Sequence, residues 1–134
     1  MNTYIIAPFL AWLTCGIIKF IINSLREKTF ALKSIGYGGM PSNHTTIIAT
    51  TAMLIGFQEG FDTPVFSLAI TTAFLFILDA ISLRRTVGLH ASALNKLTNK
   101  KNSELLRERM GHSKFEVLAG ILLGSLLGYL LSLI

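Results

Sequence analysis

Four stretches of mostly apolar residues, separated by short polar segments, dominate the chain. Three of them, residues 3–25, 64–83 and 114–134, have the length of about 20 residues that a helix needs to cross a bilayer. The fourth, residues 44–58, is shorter and carries four threonines. It is either a short span or a helix packed inside the others, and we interpret it as a span. The pattern predicts a single domain, residues 1–134, folded as an all-α integral membrane four-helix bundle with two cytoplasmic motif-bearing loops.

Two of these helices carry small or polar residues at every fourth position, which places them on one face. In the first span they are Ala7, Ala11, Cys15, Lys19 and Asn23. In the last they are His112, Glu116, Gly120, Gly124, Gly128 and Ser132. Small residues at this spacing let helices approach closely in lipid. We therefore predict that both faces point into the bundle, and that Glu116 lies on the inner side.

The composition agrees with a membrane protein. Hydrophobic residues make up 51% of the chain and charged residues 14%, which is too little polar surface for a soluble domain of this size. The net charge of +5 is carried by residues that flank apolar runs, so nucleic acid is not a predicted partner. Cys15 is the only cysteine, which excludes an intrachain disulfide.

The positions of lysine and arginine predict the orientation in the membrane. Apart from Lys19, all of them lie within residues 26–33 or 84–114, whereas the connection 58–63 carries only acidic charges. Basic loops stay in the cytoplasm. The first apolar run is too long for a signal-peptide core and has no basic residue before it, so it reads as a retained anchor. We expect a multi-pass protein of the cytoplasmic (inner) membrane whose motif loops, and active site, face the cytoplasm.

The first motif loop reads Gly38-Gly39-Met40-Pro41-Ser42-Asn43-His44. Gly38 and Gly39 let the backbone approach a ligand closely. Ser42 or Asn43 can cap the helix that follows, whose free N–H groups form an anion site. His44 then lies in the first helical turn, next to any bound anion. A plain helix cap with an interfacial histidine is the alternative interpretation.

The second motif segment contains Asp79, just inside the third span, and Arg84 and Arg85, just outside it. Ionisable side chains inside a bilayer are costly and mark functional or paired sites, and Lys19 is another such residue. Arginine binds phosphate oxygens bidentately, so this segment is interpreted as half of a phosphate clamp. A structural Lys19–Asp79 ion pair, or arginines that only anchor the helix, would explain the same residues.

The third motif segment opens the last span with His112 and Glu116. Because these residues are four apart, a helix would bring the carboxylate to the imidazole, where it fixes the tautomer. Ser113 and Glu116 also form the pattern of a capping box, which would explain the glutamate without catalysis.

Together the three segments resemble the type-2 phosphatidic-acid phosphatase superfamily, which includes bacterial acid phosphatases and vanadium haloperoxidases. Pro41-Ser42-Asn43-His44 is similar to its Pro-Ser-Gly-His motif. The order Gly-Gly-Met-Pro-Ser-X-His, Asp-Ala with an arginine pair, Leu-Asn and Gly-His-X-X-X-Glu-Val resembles the short divergent membrane branch, from about Lys19 to Gly128. The resemblance implies a phosphatase that acts through a phosphohistidine, without metal or other cofactor.

Carried over by position, the resemblance implies that His112 is the nucleophile, Glu116 its acidic partner and His44 the proton donor. By position, Ser42 also matches the phosphate-contacting serine of the family, and Lys19 its leading lysine. With the residues of the first two motif segments, the predicted substrate-binding set is Lys19, Gly38, Gly39, Ser42, Asp79, Arg84 and Arg85. The Ser-Arg that usually precedes the nucleophile is missing, and Arg107 is one residue too close to His112 to replace it. The spacing from Arg84 to His90 does match the family's spacing from arginine to nucleophile, but no acidic residue stands four positions after His90. His90 stays an alternative nucleophile.

The predicted partners are the membrane and a lipid phosphate of the phosphatidylglycerophosphate, phosphatidate or polyprenyl phosphate class. A homo-oligomer is compatible with the sequence. The alternative function is a non-catalytic membrane protein that binds or transports a phosphorylated lipid or anion. The histidines His44, His90 and His112 have no recognised metal-ligand spacing, so no metal site is predicted.

Overall fold

The computed structural model describes residues 3–27, 39–98 and 105–134. Its helices are α1 (Thr3–Glu27), α2 (Asn43–Glu59), α3 (Pro64–Leu78), α4 (Arg84–Leu97) and α5 (Lys114–Ser132). A π-helical turn, Asp79–Leu83, joins α3 directly to α4. All regular secondary structure in the described ranges is helical, which confirms the prediction of an all-α fold.

Helix α2 occupies the centre of the bundle, where it packs against α1, α3 and α5. Its polar residues are compatible with this position because their hydroxyls bond inside the helix. Thr46 and Thr50 donate to the carbonyl oxygens four residues earlier, at 2.9 and 2.8 Å. Both threonines are fully buried. A hydroxyl that is satisfied by its own helix costs little to enclose.

The glycines of α5 form the face that packs on α2, and Gly120, Gly124 and Gly128 are all buried. A Cβ atom at Gly124 would lie 2.7 Å from Ala49 Cβ, closer than van der Waals contact allows. The two backbones can approach this closely only because the glycines have no side chain. The prediction that this stripe faces the bundle is confirmed.

The inner face of α1 is also confirmed. Ala7, Ala11 and Cys15 are fully buried, and Lys19 is 3% exposed. Large apolar side chains cover the outer faces instead, including Phe9 and Trp12 of α1 and many residues of α3 and α5. Small residues inside and large apolar residues outside are the arrangement expected of a protein whose solvent is lipid.

Three helical stretches are long and apolar enough to cross a membrane: Thr3–Leu25, Pro64–Leu97 and Lys114–Ser132. Helix α2 has 17 residues. It is therefore about 25 Å long, shorter than the roughly 30 Å of a hydrocarbon core. The stretch 44–58 does form a helix, as expected, and its crossing of the bilayer stays a prediction.

The third apolar stretch is where the structure differs from the pattern. Hydropathy predicts a span that ends at residue 83 and a basic loop from Arg84, but the helix continues to Leu97. The second motif segment therefore lies on a helix and not on a loop. The physical reason is that hydropathy marks where a chain leaves the apolar phase. The stretch after Arg84 has no proline, so backbone hydrogen bonding continues past that point.

Candidate functional site

Residues from all three motif segments meet at one end of the bundle, which we call the motif end. It contains His44 in the first turn of α2, Arg84 at the start of α4 and His112 just before α5. The ring centroids of His44 and His112 are 6.3 Å apart. Arg84 Nη1 lies 3.5 Å from His44 Nε2. Residues 28 to 68 positions apart in the chain thus form one cluster of two imidazoles and a guanidinium.

The imidazole of His112 is held by Glu116. Its Nδ1 lies 3.1 Å from Glu116 Oε2, and the His112 side chain is 11% exposed. The same oxygen accepts the backbone N–H of Ser113 at 2.9 Å, while Ser113 Oγ accepts the N–H of Glu116 at 3.2 Å. Glu116 therefore completes a capping box and also contacts the histidine, and its role in catalysis stays a prediction. With Nδ1 engaged, Nε2 is the ring nitrogen left for chemistry.

Asp79 holds Arg84 in place. Arg84 Nε donates to Asp79 Oδ2 at 2.8 Å, and both side chains are about one-third exposed. The structural Lys19–Asp79 pair considered from the sequence is not what forms, because the partner of Asp79 is Arg84. A partly exposed pair adds little stability. Its main consequence is geometric, since it fixes the guanidinium next to His44.

Lys19 is the most deeply buried charged residue that the structure describes, at 3% exposure. It interacts electrostatically with Glu116 and His44, so it lies on the inner side of the motif end. No carboxylate whose side chain is described lies within 4.0 Å of its ammonium group. A buried ammonium is costly unless an anion compensates it.

Ser42 and Gly39 build the first loop of the site. Ser42 is fully buried, and its Oγ accepts hydrogen bonds from the backbone N–H and the hydroxyl of Thr45. Its own N–H donates to the carbonyl of Glu116 at 3.0 Å, which joins α2 to α5. Gly39 has φ +112°, which favours glycine. The structure thus gives Ser42 the role of helix cap, and its contact with phosphate stays a prediction. Gly38 lies outside the described residues.

The sequence matches the family model described as the divergent PAP2 family over residues 1–127. This chain belongs to the divergent PAP2 family. It is also similar to a protein named uncharacterized membrane protein YuiD from Bacillus subtilis (strain 168), with 29% identity over 132 residues. That similarity covers 86% of this chain and 82% of the relative. No solved structure matches the chain.

The match to the divergent PAP2 family includes all three motif segments, but three of the basic candidates lie apart from the cluster. Arg85 follows Arg84 on a different side of the helix, and its side chain is exposed. His90 is exposed on α4, about 9 Å along the axis from Arg84. Arg107 is exposed, and its Nε donates to the carbonyl of Arg109 at 3.2 Å. The predicted phosphate contact of Arg85 stays a prediction.

Two further sets of contacts at the motif end of this divergent PAP2 protein were not predicted from the sequence. The Cys15 thiol donates to Asn43 Oδ1 at 2.9 Å and so links α1 to α2. Asn95, which is 9% exposed, bonds to residues 106 and 108. Asn95 belongs to the Leu-Asn pair of the resemblance, which marked the residue but not its partners. Among the described residues, no group of three or more His, Cys, Asp or Glu is arranged to hold a metal ion.

Proposed function

We propose that this protein is a membrane lipid-phosphate phosphatase that cleaves a phosphomonoester or diphosphate headgroup through a phosphohistidine, without a metal. The observation that carries the proposal is the pairing of two imidazoles with different neighbours. His112 is bonded to a carboxylate, and His44, 6.3 Å away between ring centroids, lies beside the Arg84 guanidinium. Membership of the divergent PAP2 family supports a PAP2-related chemistry for this pair.

The first step is in-line attack of His112 Nε2 on the phosphorus atom. A nitrogen–phosphorus bond forms while the bond between phosphorus and the lipid oxygen breaks. Glu116 accepts a hydrogen bond from the Nδ1–H group of His112, so the lone pair on Nε2 stays available for attack. As positive charge develops on the ring, the carboxylate stabilises it.

His44, in its protonated form, gives a proton to the departing alkoxide. General acid catalysis of this kind contributes roughly 10²–10⁴-fold. Arg84 Nη1 is 3.5 Å from His44 Nε2, and both groups carry a positive charge in this step. A phosphate bound between them brings negative charge next to both, which favours the arrangement that the reaction needs.

The cations of the motif end hold the non-bridging oxygens, where charge is spread in the transition state. The phosphate supplies the anion that the buried Lys19 ammonium lacks among the described side chains. Arg84 contributes a guanidinium that Asp79 orients. Further contacts come from Arg85, from the Ser42 hydroxyl and from the backbone N–H groups of Gly38 and Gly39.

Water then attacks the phosphorus atom and gives a proton to the neutral His44 while the nitrogen–phosphorus bond breaks, which releases phosphate and restores both histidines. The lipid tail stays in the membrane beside the helices. Helix α3 supports this path because it packs mainly against α2 and buries only Ala73, so its flanks are open to lipid. Phosphatidylglycerophosphate, phosphatidate and polyprenyl phosphates all present a suitable headgroup. The charge asymmetry of the connections supports a cytoplasmic membrane protein whose motif end faces the cytoplasm.

Trapping the intermediate tests the proposal. Purified protein is mixed with radiolabelled lipid phosphates of the three classes, quenched, and analysed for acid-labile label on histidine. We expect label on the wild type and on His90→Ala, and none on His112→Ala. Label that persists in His112→Ala and disappears in His90→Ala would make His90 the nucleophile. A binding or transport protein would retain the lipid phosphate without labelling any variant.

The same reaction distinguishes a metal-dependent mechanism. Phosphate release should persist in excess chelator, and vanadate should inhibit it because it resembles five-coordinate phosphorus. Activity that is lost in chelator and restored by a divalent cation would contradict the phosphohistidine mechanism.

A further inference from the structure

The segment that leads to His112, residues 105–111, lies along α4 and is held there by Asn95. Asn95 Nδ2 donates to the carbonyl of Leu106 and to Glu108 Oε1, both at 2.9 Å. Its Oδ1 accepts the N–H of Leu106 at 2.8 Å. The donors and the acceptor of one nearly buried amide are therefore all directed to this segment.

Two glycines allow the segment to lie directly against the helix. A Cβ atom at Gly88 would collide with the carbonyl oxygen of Glu108. At Gly111, which has φ +87°, a Cβ would lie 3.1 Å from Arg85 N and 3.2 Å from Ala80 O. Any larger residue would push the segment away from the helix. The segment thus follows α4 closely as far as the π-helical turn.

The π-helical turn supplies the last contact. In a continuous α-helix the N–H of Arg84 would bond to the carbonyl of Ala80, but here it donates to the carbonyl of Asp79. The Ala80 carbonyl accepts the backbone N–H of His112 at 3.0 Å. One turn of helix therefore presents the guanidinium to His44 and also fixes the backbone of His112.

We propose that Asn95 is a positioning residue: by fixing residues 106–108 on α4, it sets where the His112 imidazole lies. Asn95 does not touch the reacting groups and acts through four residues of backbone. The catalytic consequence rests on the proposed function, whereas the placement of His112 does not. A merely structural Asn95 would lower the folded fraction without changing the surroundings of His112 in the molecules that stay folded.

Chemical modification of the three histidines tests the placement directly. Diethyl pyrocarbonate carbethoxylates imidazoles, and peptide mass spectrometry gives a rate for each site. In Asn95→Ala we expect His112 to react several-fold faster than in the wild type, because its shielded position is lost. The exposed His90 serves as the internal control and should react at the same rate in both proteins.

Two further variants separate positioning from general loosening. Gly88→Ala leaves Asn95 intact but pushes on Glu108, so it should also accelerate modification of His112, and it carries the test if Asn95→Ala does not fold. Thr63→Ala removes a helix cap and two hydrogen bonds at the opposite end of the bundle, and it should leave the rate at His112 unchanged. Equal rates at His112 in wild type, Asn95→Ala and Gly88→Ala would overturn the proposal. The same acceleration in Thr63→Ala would also overturn it.

Single-turnover trapping tests the catalytic consequence. In Asn95→Ala the displaced His112 should be labelled to nearly the wild-type amplitude, but with a rate constant roughly 10- to 100-fold lower. A misplacement of about 1 Å can lower a rate constant by about 100-fold. A lower amplitude at an unchanged rate constant would mean that Asn95 only stabilises the fold. If the wild type itself accumulates no phosphohistidine, the proposed function fails, and the modification rates still decide the placement of His112.

Discussion

The two ends of the bundle are joined by different kinds of contact. At the motif end, polar groups link the helices: Ser42 N–H donates to the Glu116 carbonyl at 3.0 Å, and the Cys15 thiol donates to Asn43. The opposite end, which we call the aromatic end, consists of the rings of Phe57, Phe61, Phe66 and Tyr129. These rings meet edge to face, with centroids 5.1 to 5.3 Å apart.

This difference separates what a bundle needs for packing from what it needs for chemistry. Edge-to-face rings bury apolar area and contribute packing energy. The polar cross-link at the aromatic end, from the Tyr4 hydroxyl to Glu59, is exposed to solvent. At the motif end, by contrast, Lys19 and Ser42 are buried, and buried polar groups are costly unless their geometry is satisfied. These buried polar groups give the motif end the fixed geometry that the proposed reaction requires.

The largest expected difference between the two ends concerns His44→Ala, whose loss of kcat should depend on the leaving group of the substrate. With an alkyl phosphate we expect a loss of roughly 10²–10⁴-fold in kcat, because the alkoxide needs a proton to depart. With p-nitrophenyl phosphate, whose leaving group needs little protonation, the loss should be much smaller. The measurement is the ratio of kcat values for the two substrates.

The control for this ratio is Phe57→Ala at the aromatic end. It removes ring contacts and lowers stability, but a ratio of two substrates does not depend on the folded fraction. We expect the wild-type ratio there. Equal losses on both substrates in His44→Ala would mean that His44 does not act as the acid.

The next largest effect is expected on kcat/KM when Arg84 or its neighbour Arg85 is replaced by alanine. Arg84→Ala should lower kcat/KM by about 10²–10³-fold, the usual loss on removing one preorganised donor to the transition state. Arg85→Ala should cost less, since it is one residue further around the helix and its side chain is exposed. Steady-state kinetics of the two variants at equal ionic strength makes the comparison. Equal losses would show that only the net positive charge matters, and not the direction of Arg84.

The parts of the site that sequence could predict are those set by local geometry. The inward faces of α1 and α5 follow from the helical period. The His112–Glu116 contact was predicted from a spacing of four residues on a helix, and it forms although His112 lies before the first residue of α5. The sequence alone did not decide whether Ser42 caps a helix or contacts phosphate. Only the packed structure reveals that its oxygen is bonded to Thr45.

The parts that sequence could not predict depend on how distant segments meet. The bond between His112 and Ala80 requires a π-helical turn, which leaves no hydropathy signal. Asn95 reaches residues 11 and 13 positions away, along a path that no periodicity describes. The pairing of Asp79 with Arg84, five residues later, uses that same turn. The hydropathy pattern predicted that these residues lie near one membrane boundary, but it did not predict which residues they contact.

The α5 glycines allow a matched test in which stability and activity separate. A Cβ at Gly120 would lie 2.9 Å from the Ser42 carbonyl oxygen, and one at Gly128 would lie 2.8 Å from that of Thr50. Alanine at either position should therefore destabilise by about 1–3 kcal/mol, the usual cost of overpacking. Thermal unfolding in detergent measures this cost. Gly16→Ala, with nothing within 4 Å of the added Cβ, should cost nothing by comparison.

Only Gly120→Ala should also change catalysis. Its added methyl group pushes on Ser42, two residues before His44, whereas Gly128→Ala pushes on the part of α2 nearer the aromatic end. The rate constant of phosphohistidine formation, which is independent of the folded fraction, should fall in the first variant and not in the second. An equal fall in both would mean that the bundle transmits strain along its whole length.

The smallest expected effect concerns Glu108, whose carboxylate accepts a hydrogen bond from Asn95 at 2.9 Å. Hydrogen bonds from Asn95 and then Ser92 hold the pKa of Glu108 below its usual value of 4.5. The folded protein then binds this proton more weakly than the unfolded chain does. The stability that Glu108 contributes is therefore complete above the unfolded pKa, and it is lost as the pH falls through the lower folded pKa. Because the group is exposed, we expect a small shift.

The melting temperatures of wild type and Glu108→Gln measure this contribution between about pH 6 and pH 3. The wild type should be more stable at the upper end, and the difference should shrink as the pH falls below about 4.5. In an Asn95→Ala background the substitution should have almost no effect, because the donor is gone. A difference that stays constant with pH, or that persists without Asn95, would mean that the carboxylate does not hold the 105–111 segment. The carbonyl of Leu106 and the tight fit at Gly88 would then fix the approach to His112 without help from charge.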